Sequence, residues 1–131
     1  MSEKPLVDKM ESNQTVPVEA EELVPEITFD EFHRIDLRVA KVMDASRVPN
    51  STRLLKLKLD IGGIEKQCIA GIGAKYEPDQ LKEKLIVVVM NMKPRNLMGL
   101  TSEVMLLAAA EGPEISHLTL DRPLNSGAKV S

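Results

Sequence analysis

Aromatic side chains are almost missing. Phe29, Phe32 and Tyr76 are the whole complement, 2% of the chain, and there is no tryptophan. Binders of single-stranded nucleic acid lean on aromatic platforms that contribute about 1–3 kcal/mol per stacked base; no such set exists here. The single cysteine, Cys68, excludes a disulfide within one chain. Its place in the run from Lys66 to Ile69 marks a reduced, half-buried or core thiol. His33 and His117 are the only histidines and have no partner spacing for a metal site or a catalytic triad, so no metal, cofactor or catalysis is expected. No segment approaches the roughly 18 uninterrupted apolar residues of a membrane span, and Met1-Ser2-Glu3-Lys4-Pro5 lacks a signal-peptide stretch, which points to a cytoplasmic protein with no membrane partner.

What is present suits one soluble globular domain: 131 residues with 43% hydrophobic side chains, enough for a core without staples. The net charge of −3 disfavours a polyanion partner until its distribution is considered. Residues 1–26 hold two lysines against seven acids, whereas Arg34 to Arg95 hold thirteen lysines and arginines against seven acids. An acidic tail therefore masks a basic body. With Pro5, Pro17 and Pro25 and no sustained apolar period, residues 1–26 are expected to be a disordered tail, and residues 27–131 the folded domain.

Thr28 and Glu31 have capping-box spacing, and Ile27 with Phe32 can form a hydrophobic staple, which predicts a short helix ending near Arg34. Leu37 to Met43 is a strand whose apolar phase slips between Val39 and Val42, the signature of a bulge or bend. Pro49-Asn50-Ser51 reads as a turn. Leu55, Leu57, Leu59 and Ile61 alternate with Lys56, Lys58 and Asp60, the period of a half-buried strand. Gly62-Gly63 closes a hairpin into Lys66–Ala70, and hairpin closure also accounts for the glycines without a phosphate-cradling motif. A short helix at Glu77–Lys82 and apolar strands at Leu85–Met90 and Val104–Ala108 follow. Met43, Met90 and Met105 are read as core, whereas Met92 and Met98 are odd choices for a solvent-facing loop.

Three strands, a short helix and two more strands give an all-β class. The layout is that of a five-stranded OB-fold barrel with a short N-terminal helix, a short helix between strands three and four, and a C-terminal extension. Such barrels bind ligands on the face of strands two and three and on the loops joining one to two and four to five. Those loops here are Ser46–Arg53 and Asn91–Thr101, and the second carries Lys93-Pro94-Arg95. Arg47, Arg53, Lys56 and Lys58 lie on neighbouring elements, so the cations converge where the fold places a ligand.

These residues resemble the tRNA-binding domain found at the C-terminus of methionyl-tRNA synthetases and as stand-alone tRNA-binding proteins. The resemblance runs from about Phe29 to Met105. It rests on Asp36-Leu37-Arg38-Val39, Pro49-Asn50, Arg53-Leu54, Leu57 to Gly62, Gln67, Gly71-Ile72, Tyr76-Glu77-Pro78, Asn91 to Arg95, Gly99, Ser102 and Met105. Ala70, Asn96, Met98 and Val104 depart from the family pattern, and two cations usual after Lys-Pro-Arg are missing. The resemblance implies a binding module, not an enzyme, that acts alone or as the beta subunit of a methionyl-tRNA synthetase and recognises folded tRNA by shape and phosphate charge. It also implies a homodimer and a possible synthetase catalytic subunit as partner. Arg53, Lys56, Lys58, Lys93 and Arg95 are the expected phosphate contacts, with Asn50, Asn91 and Ser102 hydrogen-bonding sugars or bases; turn capping is an equal reading of Asn91 and Ser102. Ser102-Glu103-Val104 is similar to the CsaA-type export chaperones, dimers that bind unfolded polypeptides, which is the alternative function.

Overall fold

In the computed structural model residues 15–131 are described; residues 1–14 of the expected tail lie outside them. Residues 15–26 are exposed, with one 3₁₀ turn at Ala20–Glu22 where an unstructured tail is expected. The Glu22 carboxylate explains it, accepting from the Glu19 N–H at 2.8 Å.

The first helical turn, α1 (Phe29–Phe32), starts at the Thr28/Glu31 capping box. Thr28 Oγ1 accepts from the Glu31 N–H at 3.0 Å, and the Glu31 carboxylate accepts from the Thr28 N–H at 2.7 Å. The box carries the turn rather than an apolar staple, since Ile27 is 61% exposed.

Strand β1 (Leu37–Arg47) organises the sheet. Its first half pairs antiparallel with β4 (Leu85–Val89), and its second half with β2 (Leu55–Ile61). The switch occurs at Lys41, which pairs with both strands, and an irregularity in the β1–β2 ladder follows between Val42 and Asp44, close to the predicted phase slip. Met43 is the extra residue there and turns outward, 46% exposed, which corrects its reading as core. Leu55, Leu57, Leu59 and Ile61 are buried while Lys56 and Lys58 face water, as the alternation of β2 predicts. The Gly62-Gly63 turn leads into β3 (Ile64–Ala70), paired with β2 from Ile61↔Ile64 to Leu55↔Ala70. Helix α2 (Pro78–Leu81) plugs the barrel with Leu81, fully buried against Leu55, Leu57, Leu59, Ile86 and Val88. Each such side chain contributes about 1.5–3 kcal/mol through burial.

The connection after β4 is not the plain loop expected. Arg95–Leu97 (β5) and Leu100–Ser102 (β6) form a hairpin closed by Met98 and Gly99, with φ of 49° and 81°. Two left-handed residues make the tight turn whose twist matches a hairpin, a signal hidden because the first is usually asparagine, aspartate or glycine. The expected last strand contracts to β7 (Met105–Leu106), which pairs with β4, and Met105 is 37% exposed rather than core. The sheet order is β3-β2-β1-β4-β7. Between its ends no continuous ladder runs, and side chains bridge the gap. Gln67 and Glu103 exchange bonds, the Glu103 N–H to the Gln67 carbonyl and the Gln67 N–H to the Glu103 carboxylate, both at 2.8 Å. Ser102 Oγ accepts from the Ile69 N–H at 2.9 Å, and Gln67 Nε2 donates to the Thr101 carbonyl at 2.9 Å. The result is an OB-type barrel.

The C-terminal extension folds onto its own barrel. Ala108–Glu111 (β8) and Glu114–His117 (β9) form a hairpin whose Ile115 packs against the core, and Lys129–Val130 (β10) pairs with the start of β1. Ser126 pins the β2–β3 turn, donating to Asp60 Oδ2 at 2.6 Å and accepting from the Gly62 N–H at 3.2 Å.

Candidate nucleic-acid interface

The Pro49-Asn50-Ser51 turn is held by its own hydrogen bonds. Ser51 Oγ accepts from the N–H groups of Arg53 and Leu54 at 3.2 and 3.0 Å, and Asn50 takes the left-handed φ of 66° that asparagine tolerates. The Arg53 carbonyl then accepts from the Gly73 N–H at 2.7 Å, tying the loop to the segment after β3. Gly73 has no room for a side chain: a Cβ there would lie 2.8 Å from the Arg53 carbonyl oxygen and 2.9 Å from Arg47 Nη1. Ser51 and Gly73 thus position Arg53, roles that a sequence without contacts does not expose.

Arg53 and Asn50 on this loop meet Arg95 of β5 across a groove of about 820 Å³. Ile69, Leu97, Met98, Met105 and Ile115 supply apolar lining, and neither aspartate nor glutamate lines it. Lys56 stands directly across the ladder from Ile69 and lines a second hollow on the outer surface of β2 and β3. That second hollow is mixed in charge. Lys58 is paired with Glu65 at 4.0 Å and opposes Asp44 on β1, and Glu103 lines the same hollow. Lys93 is exposed two residues before Arg95. Among the described residues Arg53, Lys56, Lys93 and Arg95 make no ion pair.

Three other residues make hydrogen bonds within the fold. Asn91 Oδ1 accepts from the Asp36 N–H at 2.9 Å and its Nδ2 donates to the Arg34 carbonyl at 2.7 Å, clasping the start of β1 to the end of β4. Ser102 is buried, with Oγ donating to the Val104 carbonyl at 2.9 Å besides accepting from Ile69. Arg47, expected near the cations, turns to the Gly73 carbonyl at 2.9 Å and to Glu77 at 3.2 Å. The capping reading of Asn91 and Ser102 therefore describes their hydrogen bonds.

Two perturbed groups also belong to the scaffold. The Arg38 guanidinium, 2.7 Å away, holds the Asp36 carboxyl below its ordinary range, with Lys129 adding to the effect. Burial pushes the Cys68 thiol up to about 11, leaving it neutral at pH 7. No group of three or more histidine, cysteine, aspartate or glutamate side chains among the described residues is placed to hold a metal. Nor is any helix among them long and apolar enough to cross a membrane.

Residues 37–129 match a family model described as a putative tRNA binding domain. A methionine–tRNA ligase from Thermotoga maritima is 51% identical over 105 residues, 80% of this chain but 17% of the ligase, so the chain spans about a sixth of that relative. A MetRS-related protein from Pyrococcus horikoshii superposes with a TM-score of 0.78 at 27% identity, covering 82% of this chain and all of the other. The chaperone CsaA from Bacillus anthracis gives 0.74 at 31% identity, again over 82% of this chain and all of the other. The shared stretch takes in β1 through β9, including both loops that flank the groove, and the chain belongs to the tRNA-binding domain family.

Proposed function

We propose that this chain is a noncatalytic module that holds tRNA against the groove between the two loops, in support of aminoacylation. The observation that carries the reading is the meeting of Arg53 and Arg95 in a groove lined by no carboxylate, flanked by the exposed Lys56 and Lys93. Arginine forks and lysine point charges suit phosphate oxygens, and the near absence of aromatics favours a structured RNA recognised by backbone and shape. Arg53, Arg95, Lys56 and Lys93 make the phosphate contacts, Asn50 adds a hydrogen bond from the groove's edge, and Lys58 contributes at its margin. Asn91 and Ser102 act as scaffold.

The likeness to methionine–tRNA ligases supports a role beside a methionyl-tRNA synthetase, in the same chain or as a subunit, and hence a cytoplasmic site of action. A homodimer fits an apolar hollow lined by Phe32, Ile35, Leu37, Val89, Met92, Met105 and Leu107, near the exposed Phe29. Light scattering at twice 14.5 kDa supports the dimer, and 14.5 kDa removes it. A second reading, a chaperone for unfolded polypeptides, draws on the apolar part of the groove and on the likeness to CsaA.

The direct test is equilibrium binding of bulk tRNA. Replacing Lys93 and Arg95 together by alanine should weaken it at least tenfold, since each lost phosphate contact removes released counterions. Arg122→Ala, at an exposed residue outside the groove's lining, should leave it unchanged. Equal affinities for all three proteins, or an unfolded model polypeptide displacing tRNA while binding more tightly, removes the tRNA reading.

A further inference from the structure

The groove holds more than phosphate-binding cations. Four other hollows among the described residues each include at least one carboxylate, whereas this one has two arginines and none. Its volume of about 820 Å³ lies within the range of about 300–1,000 Å³ that small-ligand sites occupy. Charge alone does not explain its other wall, made by Ile69, Leu97, Met98 and Met105.

Met98 is the telling residue. It sits at the tip of the β5–β6 hairpin with φ of 49°, a left-handed conformation that crowds a side chain bearing Cβ and that asparagine or glycine adopts more readily. It is also 56% exposed, so packing does not repay the strain. A strained residue beside a cationic groove, presenting a long apolar side chain to water, points to a contact made only when the groove is filled. Methionine is suited to one class of occupant, because its polarisable thioether packs well against the face or edge of an aromatic ring. In a chain with so few aromatics, it can take the part of a stacking platform.

We propose that the groove receives an unpaired nucleotide of the bound RNA, its phosphate on Arg53 and Arg95 and its base against Met98 and the neighbouring apolar wall. This rests on the tRNA reading and deepens it. Recognition then includes one base displaced from the stack, in addition to backbone contacts over the rest of the surface.

Met98→Asn tests the idea in the full chain. Asparagine suits the left-handed turn, so the variant should melt at or above the parent's temperature while losing the thioether. Its affinity for bulk tRNA should drop about two- to tenfold, the range set by sulfur–aromatic contacts. The slope of log affinity against log salt should stay at the parent's value, because no phosphate contact is lost. Binding to a fully paired RNA duplex should not change. Unchanged tRNA affinity, an equal loss on the duplex, or a shallower salt slope overturns the base contact. Any of these leaves the phosphate reading standing if the Arg53→Ala, Arg95→Ala double variant still weakens binding. A parent chain that does not bind tRNA overturns both. Loss confined to an unfolded model polypeptide assigns the groove to protein and overturns the base contact as well.

Discussion

Gly73 sits where two parts of the binding surface are locked together, and adding one methyl group there should unlock them. A Cβ at Gly73 would lie 2.8 Å from the Arg53 carbonyl oxygen, 3.0 Å from its carbon and 2.9 Å from Arg47 Nη1. The first two are backbone atoms and have no rotamer with which to yield. Relief requires the loops to part by roughly half an ångström, the shortfall from ordinary van der Waals contact. That separation lengthens the 2.7 Å bond from the Gly73 N–H to the Arg53 carbonyl and disturbs the 2.9 Å bond from Arg47 to the Gly73 carbonyl. Overpacking costs about 1–3 kcal/mol and a lost hydrogen bond about 1. Restricting the unfolded chain returns about 0.4–1 kcal/mol. Gly73→Ala should therefore destabilise by about 2–3 kcal/mol, lowering Tm by roughly 10 °C in a domain of this size. Because Arg53 moves with its backbone, tRNA affinity should fall several-fold at temperatures where the variant is folded. Differential scanning calorimetry and a binding titration read the two effects. Gly71→Ala is the control for the melting temperature, since its Cβ would meet only the guanidinium end of Arg53, at 3.4 Å and with no backbone atom in the way. A Gly73→Ala variant that melts within 2 °C of the parent would refute the claim that this contact positions the arginine.

Other outcomes follow from the scaffold. Asn91→Ala should cost about 1–2 kcal/mol in urea unfolding by removing its hydrogen bonds to the Asp36 N–H and the Arg34 carbonyl, and should leave the salt dependence of tRNA binding at the parent's slope. Asp36 titrates below its ordinary value in the folded chain, so its ion pair stabilises above the unfolded pKa and fades as pH falls through the folded one. The stability gap between parent and Asp36→Asn should accordingly be present at pH 7 and close at strongly acidic pH. Cys68, buried and with its pKa pushed up to about 11, should react with a thiol reagent only as fast as the barrel opens, and promptly in denaturant.

The parts of the fold written in local pattern were legible before any coordinates. The strict alternation of Leu55 to Ile61, the Thr28/Glu31 spacing and the phase slip near Val42 each act within a few residues, and each found its expected counterpart. What escaped depends on partners distant in sequence. The bridge from Gln67 and Ile69 to Ser102 and Glu103 closes the barrel through side chains, so nothing in either stretch alone announces it. The β5–β6 hairpin was hidden because Met98 stands where a turn-forming residue is usual. Met43 and Met105 look like core residues until the bulge and the shortened last strand turn them outward. The candidate site shows the same division. Fold logic brought Arg53 and Arg95 to neighbouring loops, and the structure puts both on one groove. The hydrogen bonds of Asn91 and Ser102, and the carboxylates around Lys58, were invisible without contacts.

The central claim is that exposed cations on two loops hold RNA through its phosphates, and its most direct measurement is tRNA affinity as a function of salt. For the parent chain, log affinity should fall linearly with log salt between 50 and 200 mM, with a slope reflecting about three to four neutralised phosphates. The Arg53→Ala, Arg95→Ala double variant should bind more weakly with a slope shallower by about two. A flat dependence in the parent, or a double variant with the parent's slope and affinity, would contradict it.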